Sequence, residues 1–73
     1  MKLKNRIKEL RFQHDQMTQQ ALADAVEVTR MTIYSIEKEK FIPSTLLAFK
    51  IARVFGLNVE EVFFLESTEG ERI

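Results

Sequence analysis

Apolar residues recur every three or four positions along most of this chain, the spacing that gives a helix one inward face. Glycine and proline are nearly absent from the first forty residues, so helices are the default reading there. Five are predicted. The first covers residues 5–13, with Ile7 and Leu10 on one side. His14, Asp15 and Gln16 break it, and an aspartate tolerates the left-handed conformation that a helix end often needs. Thr18 caps a second helix, QQALADAV, whose stripe is Leu22, Ala23 and Val26. After a short turn at Glu27 and Val28, Thr29 caps a third helix that runs to residue 38 and sends Ile33 and Ile36 inward. Residues 38–43 form a loop, because Pro43 biases Ile42 away from helix, and Ser44 then caps a fourth helix. That helix has an inner face of Leu47, Ala48, Ile51, Ala52 and Phe55 and closes at Gly56. Asn58 and Glu61 have capping-box spacing for a short fifth helix carrying Val59, Val62 and Phe63. The fold class expected is all-α, a compact five-helix domain over residues 1–66, followed by a polar, frayed tail at 67–73.

The second and third helices are short and joined by only a few residues. Such a connection forces a steep crossing, as in a helix-turn-helix. Ala23 is then the small residue at the crossing, and Val28 plugs the turn. With Ile33 and Ile36 committed to the core, Arg30, Met31, Tyr34, Ser35 and Lys38 face outward. Met17, ahead of the second helix, is expected in the core.

Composition narrows what that outward face is for. Seventy-three residues make one small domain, and a core of this size contributes roughly 3–5 kcal/mol of net stability. Disulfides are excluded because the chain has no cysteine, and one histidine, His14, cannot build a structural zinc site. No cofactor is expected. An oligomer interface is the remaining supplement. The first residues, MKLKNRIKEL, lack the apolar segment of a signal peptide, and no apolar run approaches the ~20 residues of a membrane span. A soluble, cytoplasmic protein is the expectation.

Formal net charge is zero, which by itself argues against an anionic partner. Residues 1–40 nevertheless hold eight Lys/Arg against six acids, and residues 41–73 hold three against five. The bias permits nucleic acid on the N-terminal side without requiring it.

The run QQALADAVEVTRMTIYSIEKEKFIPS, followed by LAFKIARVFGLNVEEVF, resembles the DNA-binding domain of phage-repressor-like (Cro-type) transcriptional regulators. The matching features are Gln19, Leu22-Ala23, Val28-Thr29, Ile33, Ile36-Glu37 and Pro43-Ser44, in order and at the right spacing. The likeness extends from about Arg6 to Phe64. Two positions depart from it, since Glu27 and Glu39 stand where that family usually has glycine.

The resemblance implies that the third helix lies in the DNA major groove. Arg30, Met31, Thr32 and Ser35 are then nearest base edges, with Arg30 able to grip a guanine and Met31 to pack on a thymine methyl. Gln19, Thr29, Tyr34, Lys38 and Lys40 are the expected contacts to the sugar-phosphate backbone, which position rather than specify. Glu37 is expected to pair with Arg11, and His14 to be a loop residue. Phe41, Phe49, Phe63 and Phe64 cannot all be inside so small a bundle, so Phe63, Phe64 and Leu65 are the expected two-fold dimer interface.

No enzyme constellation emerges, since a domain this small has little room for a catalytic pocket. The leading reading is a regulator, more simply a repressor, that binds double-stranded DNA at a palindromic operator as a homodimer. An alternative from another class is a protein-interaction module, such as an antitoxin or an anti-repressor partner.

Overall fold

The structure, a computed structural model, describes residues 1–67; the rest of the expected tail lies outside them. The elements in chain order are β1 (Lys2–Asn5), α1 (Ile7–Gln13), α2 (Gln19–Ala25), α3 (Arg30–Glu37), α4 (Thr45–Val54), α5 (Val59–Val62) and β2 (Phe63–Glu66). Among the described residues there are five helices, but all-α needs correcting. β1 and β2 pair antiparallel, with Lys2 opposite Glu66 and Asn5 opposite Phe63. The first helix accordingly starts at Ile7 instead of residue 5, and Phe63 opens a strand rather than closing α5.

Local chemistry starts each main helix where expected. The hydroxyl of Thr18 accepts from Ala21 N–H at 2.9 Å, that of Thr29 from Thr32 N–H at 3.3 Å, and that of Ser44 from Leu47 N–H at 3.1 Å. Each satisfies one of the backbone donors that a helix start leaves free. At α5, Asn58 N–H donates to the Glu61 carboxylate at 2.9 Å.

Three helices end the same way. Val28 N–H reaches back to Ala23 C=O, Lys40 N–H to Ser35 C=O, and Leu57 N–H to Ala52 C=O, at 2.9, 2.9 and 3.0 Å. This closing turn requires a left-handed residue just before the donor. Gly56 takes that position at φ +69°, but Glu27 and Glu39 take the other two at φ +63°. The two glutamates therefore adopt the glycine conformation. Asp15 is left-handed too, as its residue type allows, and so is Gln16 beside it.

The core gathers one face of every helix. Ile7, Leu22, Ala23, Ile33, Ile51 and Val62 are fully enclosed or nearly so, with Leu10, Val26, Ile36, Leu47, Ala52, Phe55 and Phe63 completing it. Met17 and Val28 pack partly buried against this cluster. No helix among the described residues is long and apolar enough to cross a membrane.

Candidate nucleic-acid interface

The site begins with one buried ion pair. Arg11 on α1 points inward, and its guanidinium meets the Glu37 carboxylate twice, Nε to Oε2 at 2.7 Å and Nη2 to Oε1 at 3.1 Å. Both side chains are almost out of water, at 8% and 6% exposed. The remaining guanidinium nitrogen donates to Met17 C=O at 2.8 Å, tying the loop before α2 to the same group. Arg11 thus holds α1, the α2 entry and α3 together.

Further hydrogen bonds carry that anchor to the surface. Gln19, at the start of α2, donates its amide to Glu37 Oε1 at 3.1 Å. Its carbonyl oxygen then accepts from Arg30 Nη1 at 3.3 Å. A chain of four side chains, Arg11–Glu37–Gln19–Arg30, leads from the interior to the first residue of α3. The Arg30 head is therefore held by a network whose inner end is rigid. The expected pair of Arg11 and Glu37 is present, and Gln19 has a structural task that the sequence did not reveal.

α3 stands as a ridge between two grooves. On the α1 side lies a groove of about 690 Å³ lined by Arg6, Lys8, Glu9 and Phe12 from one wall and by Arg30, Tyr34 and Lys38 from the other, with Glu37 and Gln19 in its floor. Across the ridge, Met31, Thr32, Ser35, Lys40 and Phe41 line a smaller one of about 280 Å³. Met31 is exposed at the crest, its sulfur 3.9 Å from Arg30 Nη2. Lys38 lies over the Tyr34 ring, 5.8 Å from its centre. The Thr32 hydroxyl is 3.1 Å from that of Thr29, so this pair is bound to each other at the helix start.

The nine residues expected at the interface thus divide between the two flanks, except Thr29, which caps the ridge. Arg6, Lys8, Phe12 and Phe41 were not anticipated there. Three of them lie on or beside α1, where the period shows only that they point away from the core. Phe41 carried a signal, being apolar, exposed and next to Lys40. Phe63 belongs elsewhere. It is 6% exposed and packs in the core, so its side chain is no part of a surface patch, whereas Phe64 and Leu65 are exposed.

Charge pairing explains how a neutral chain presents a basic face. Lys2, Lys4, Arg11 and Lys50 have a carboxylate within 4.0 Å. Among the described residues, Arg6, Lys8, Arg30, Lys38 and Lys40 have no carboxylate within that distance, while Glu27, Glu37 and Glu39 are all engaged. The acids neutralise Lys2, Lys4, Arg11 and Lys50 and leave the cations that line the two grooves without a counter-charge. A match to the family described as helix-turn-helix covers residues 7–62. The chain belongs to the Cro-type helix-turn-helix family.

Three relatives match it over most of both chains. The helix-turn-helix chain is 46% identical over 67 residues to the uncharacterized HTH-type transcriptional regulator MJ0272 of Methanocaldococcus jannaschii, covering 92% of this chain and 100% of that one. It is 45% identical over 64 residues to the uncharacterized HTH-type transcriptional regulator YgzD of Bacillus subtilis, 88% and 96% of the two chains. A third such regulator, from Archaeoglobus fulgidus, is 46% identical over 67 residues, 92% and 93% of the two.

Proposed function

We propose that this protein is a sequence-specific DNA-binding transcriptional regulator without enzymatic activity, acting as a homodimer and repressing by occlusion. The observation that carries the reading is the ridge of α3, whose leading Arg30 is held through Gln19 and Glu37 and whose flanks bear five cations without carboxylate partners. Relatives of nearly equal length are called HTH-type transcriptional regulators, which supports the same assignment.

In this reading α3 enters the major groove. Arg30 presents a planar fork to a guanine edge and Met31 an apolar tip to a thymine methyl, while Ser35 lies one turn further along the same face. Thr32 is the least available of the four base-contact residues, because its hydroxyl is shared with Thr29. The two grooves beside the ridge receive the sugar-phosphate strands: Lys8, Tyr34 and Lys38 on the α1 side, Lys40 and Phe41 on the other. Gln19 and Thr29 sit at helix starts whose dipoles favour an anion. Repression follows most simply, since covering a promoter requires binding alone.

The test is selection from a pool of random duplexes at two salt concentrations, followed by sequencing. The expected result is a palindrome with half-sites about 34 Å apart, one turn of DNA, that is lost with Arg30→Ala. Affinity should fall with salt at a slope of about −0.9 per phosphate neutralised. The competing interaction-module reading draws on Leu46 and Phe49, both apolar and exposed on α4. Absence of any duplex binding at low salt would decide for it.

A further inference from the structure

Sulfur is the side-chain atom that peroxides oxidise most readily, and this chain has no cysteine, so its three methionines are all the sulfur it offers. They are not equivalent. Met17 packs partly buried against the core. Met1, at the chain start, borders a cleft with Lys2, Ile36 and Pro43. Met31 is 55% exposed on the crest of α3, where it lines the smaller groove with Thr32, Ser35, Lys40 and Phe41. Of the three, it alone belongs to the face assigned to base edges.

The neighbour of Met31 makes its position consequential. Its sulfur lies 3.9 Å from Arg30 Nη2, a weak contact because a thioether is a poor acceptor. The other arm of the same fork, Arg30 Nη1, meets Gln19 Oε1 at 3.3 Å. The guanidinium therefore lies between an amide oxygen fixed by the buried clamp and a sulfur on the adjoining side chain. No carboxylate among the described residues comes within 4.0 Å to compete for it. Whatever changes the acceptor strength of that sulfur changes the hold on Arg30.

We propose that Met31 is an oxidation site through which hydrogen peroxide switches off base reading. The inference rests on the DNA-reading role of α3 given above and names a control of it. The sulfur gives a lone pair to one peroxide oxygen and the O–O bond breaks. That oxygen stays on sulfur as the sulfoxide, and the other leaves as water with both protons. Sulfur loses two electrons and the peroxide gains them. The apolar tip thereby becomes a dipole, which cannot rest against a thymine methyl without giving up its water. The new oxygen is a far stronger acceptor than the thioether and extends from the sulfur into hydrogen-bond reach of Arg30 Nη2. With Gln19 on Nη1, both arms of the fork are then tied within the protein, and a guanine has to break a strong internal bond to be gripped. One added oxygen weakens two reading residues and removes no cation. A sulfoxide reductase reverses the change, two thiols becoming a disulfide as the oxygen leaves in water.

The test treats the full chain with graded hydrogen peroxide and follows each methionine by peptide mass spectrometry. Affinity is measured for the duplex that the untreated protein selects. Oxidation of Met31 should weaken that binding about tenfold or more, the size of one hydrogen bond to a charged group. Binding to unrelated duplex at low salt should stay near its untreated value, because the cations are intact. Sulfoxide reductase with dithiothreitol should restore the lost affinity. Met31→Leu cannot form a sulfoxide but keeps Met1 and Met17. Whatever affinity this variant has for the duplex it selects, the same peroxide treatment should leave it unchanged. Met31 oxidising no faster than Met17, full conversion of Met31 without loss of affinity, or a Met31→Leu protein that loses as much as the parent overturns the switch and leaves the DNA-reading role intact. An untreated parent that binds no duplex at low salt overturns both.

Discussion

Glu37 and Glu39 stand two residues apart at the end of α3, and each holds a cation from the start of the chain. Their surroundings separate them. Glu37 and Arg11 are nearly dry and joined by two short hydrogen bonds, whereas Glu39 shares Lys2 and Lys4 at the surface, where Lys2 is 59% exposed. A buried charge left alone is expensive, but one left alone in water is not. The inner pair therefore governs whether α3 is placed at all, and the outer one only trims the sheet against it.

The sharpest way to break that contrast is to remove one inner partner. Arg11→Leu should cost about 3–5 kcal/mol in urea unfolding, because Glu37 is stranded without its counter-charge. Arg11→Leu combined with Glu37→Leu should lose markedly less than the single change. A single variant within about 1 kcal/mol of the parent would place the pair in the same class as the outer one.

The same clamp can be probed for its reach. Gln19→Ala leaves the ion pair whole but cuts the link to Arg30. Operator affinity should fall about tenfold, roughly one charge-assisted contact, with the salt slope unchanged because no cation is lost. A changed slope would mean that releasing Arg30 alters how many phosphates the protein neutralises.

Glu27 and Glu39 offer a comparison at equal backbone strain, since both sit at φ +63° in the same closing turn. Glu27→Gly should raise thermal stability by about 0.5–1 kcal/mol, the left-handed penalty relieved less the added freedom of glycine. Its one ion pair, to Lys50 at 3.2 Å, subtracts little because the Glu27 side chain is 80% exposed. Glu39→Gly should yield less, since it also releases Lys2 and Lys4. Equal gains would show that the surface cluster contributes nothing.

The smallest effect concerns pH. Hydrogen bonding to Glu39, with the Coulombic attraction of Glu39 and Glu66, raises the Lys4 amine above its ordinary 10.5. A group raised on folding stabilises fully below its unfolded value and loses that contribution as pH climbs past the folded one. A modest drop in melting temperature is therefore expected above pH 10.5, absent in Lys4→Met and in high salt.

Much of the fold was readable from single residues. Thr18, Thr29 and Ser44 announced their helices because capping is local chemistry, and Ile33 with Ile36 oriented α3 because a period of 3.6 survives even in eight residues. The Arg11–Glu37 pair followed once both helices were oriented. The strands were hidden for the opposite reason. Four residues such as KLKN carry too short an alternation to outvote a helical surround, and their partners lie about sixty positions away. Phe63 misled for a related cause: FFL is apolar throughout, and only the strand's pleat decides that its first ring goes in while the next stays out. The α1 wall of the larger groove was equally unreadable, since a helix period says which residues avoid the core but not which cleft they border.

The pairing of β1 with β2 also sets the order of assembly. Translation delivers residues 2–5 nearly sixty steps before residues 63–66, so β1 waits without a mate while α1 to α5 are made. Until β2 arrives, one side of β1 offers bare backbone to whatever passes. The lysines at positions 2 and 4 are then most useful, as charges that keep nascent neighbours from zipping together on the same polysome.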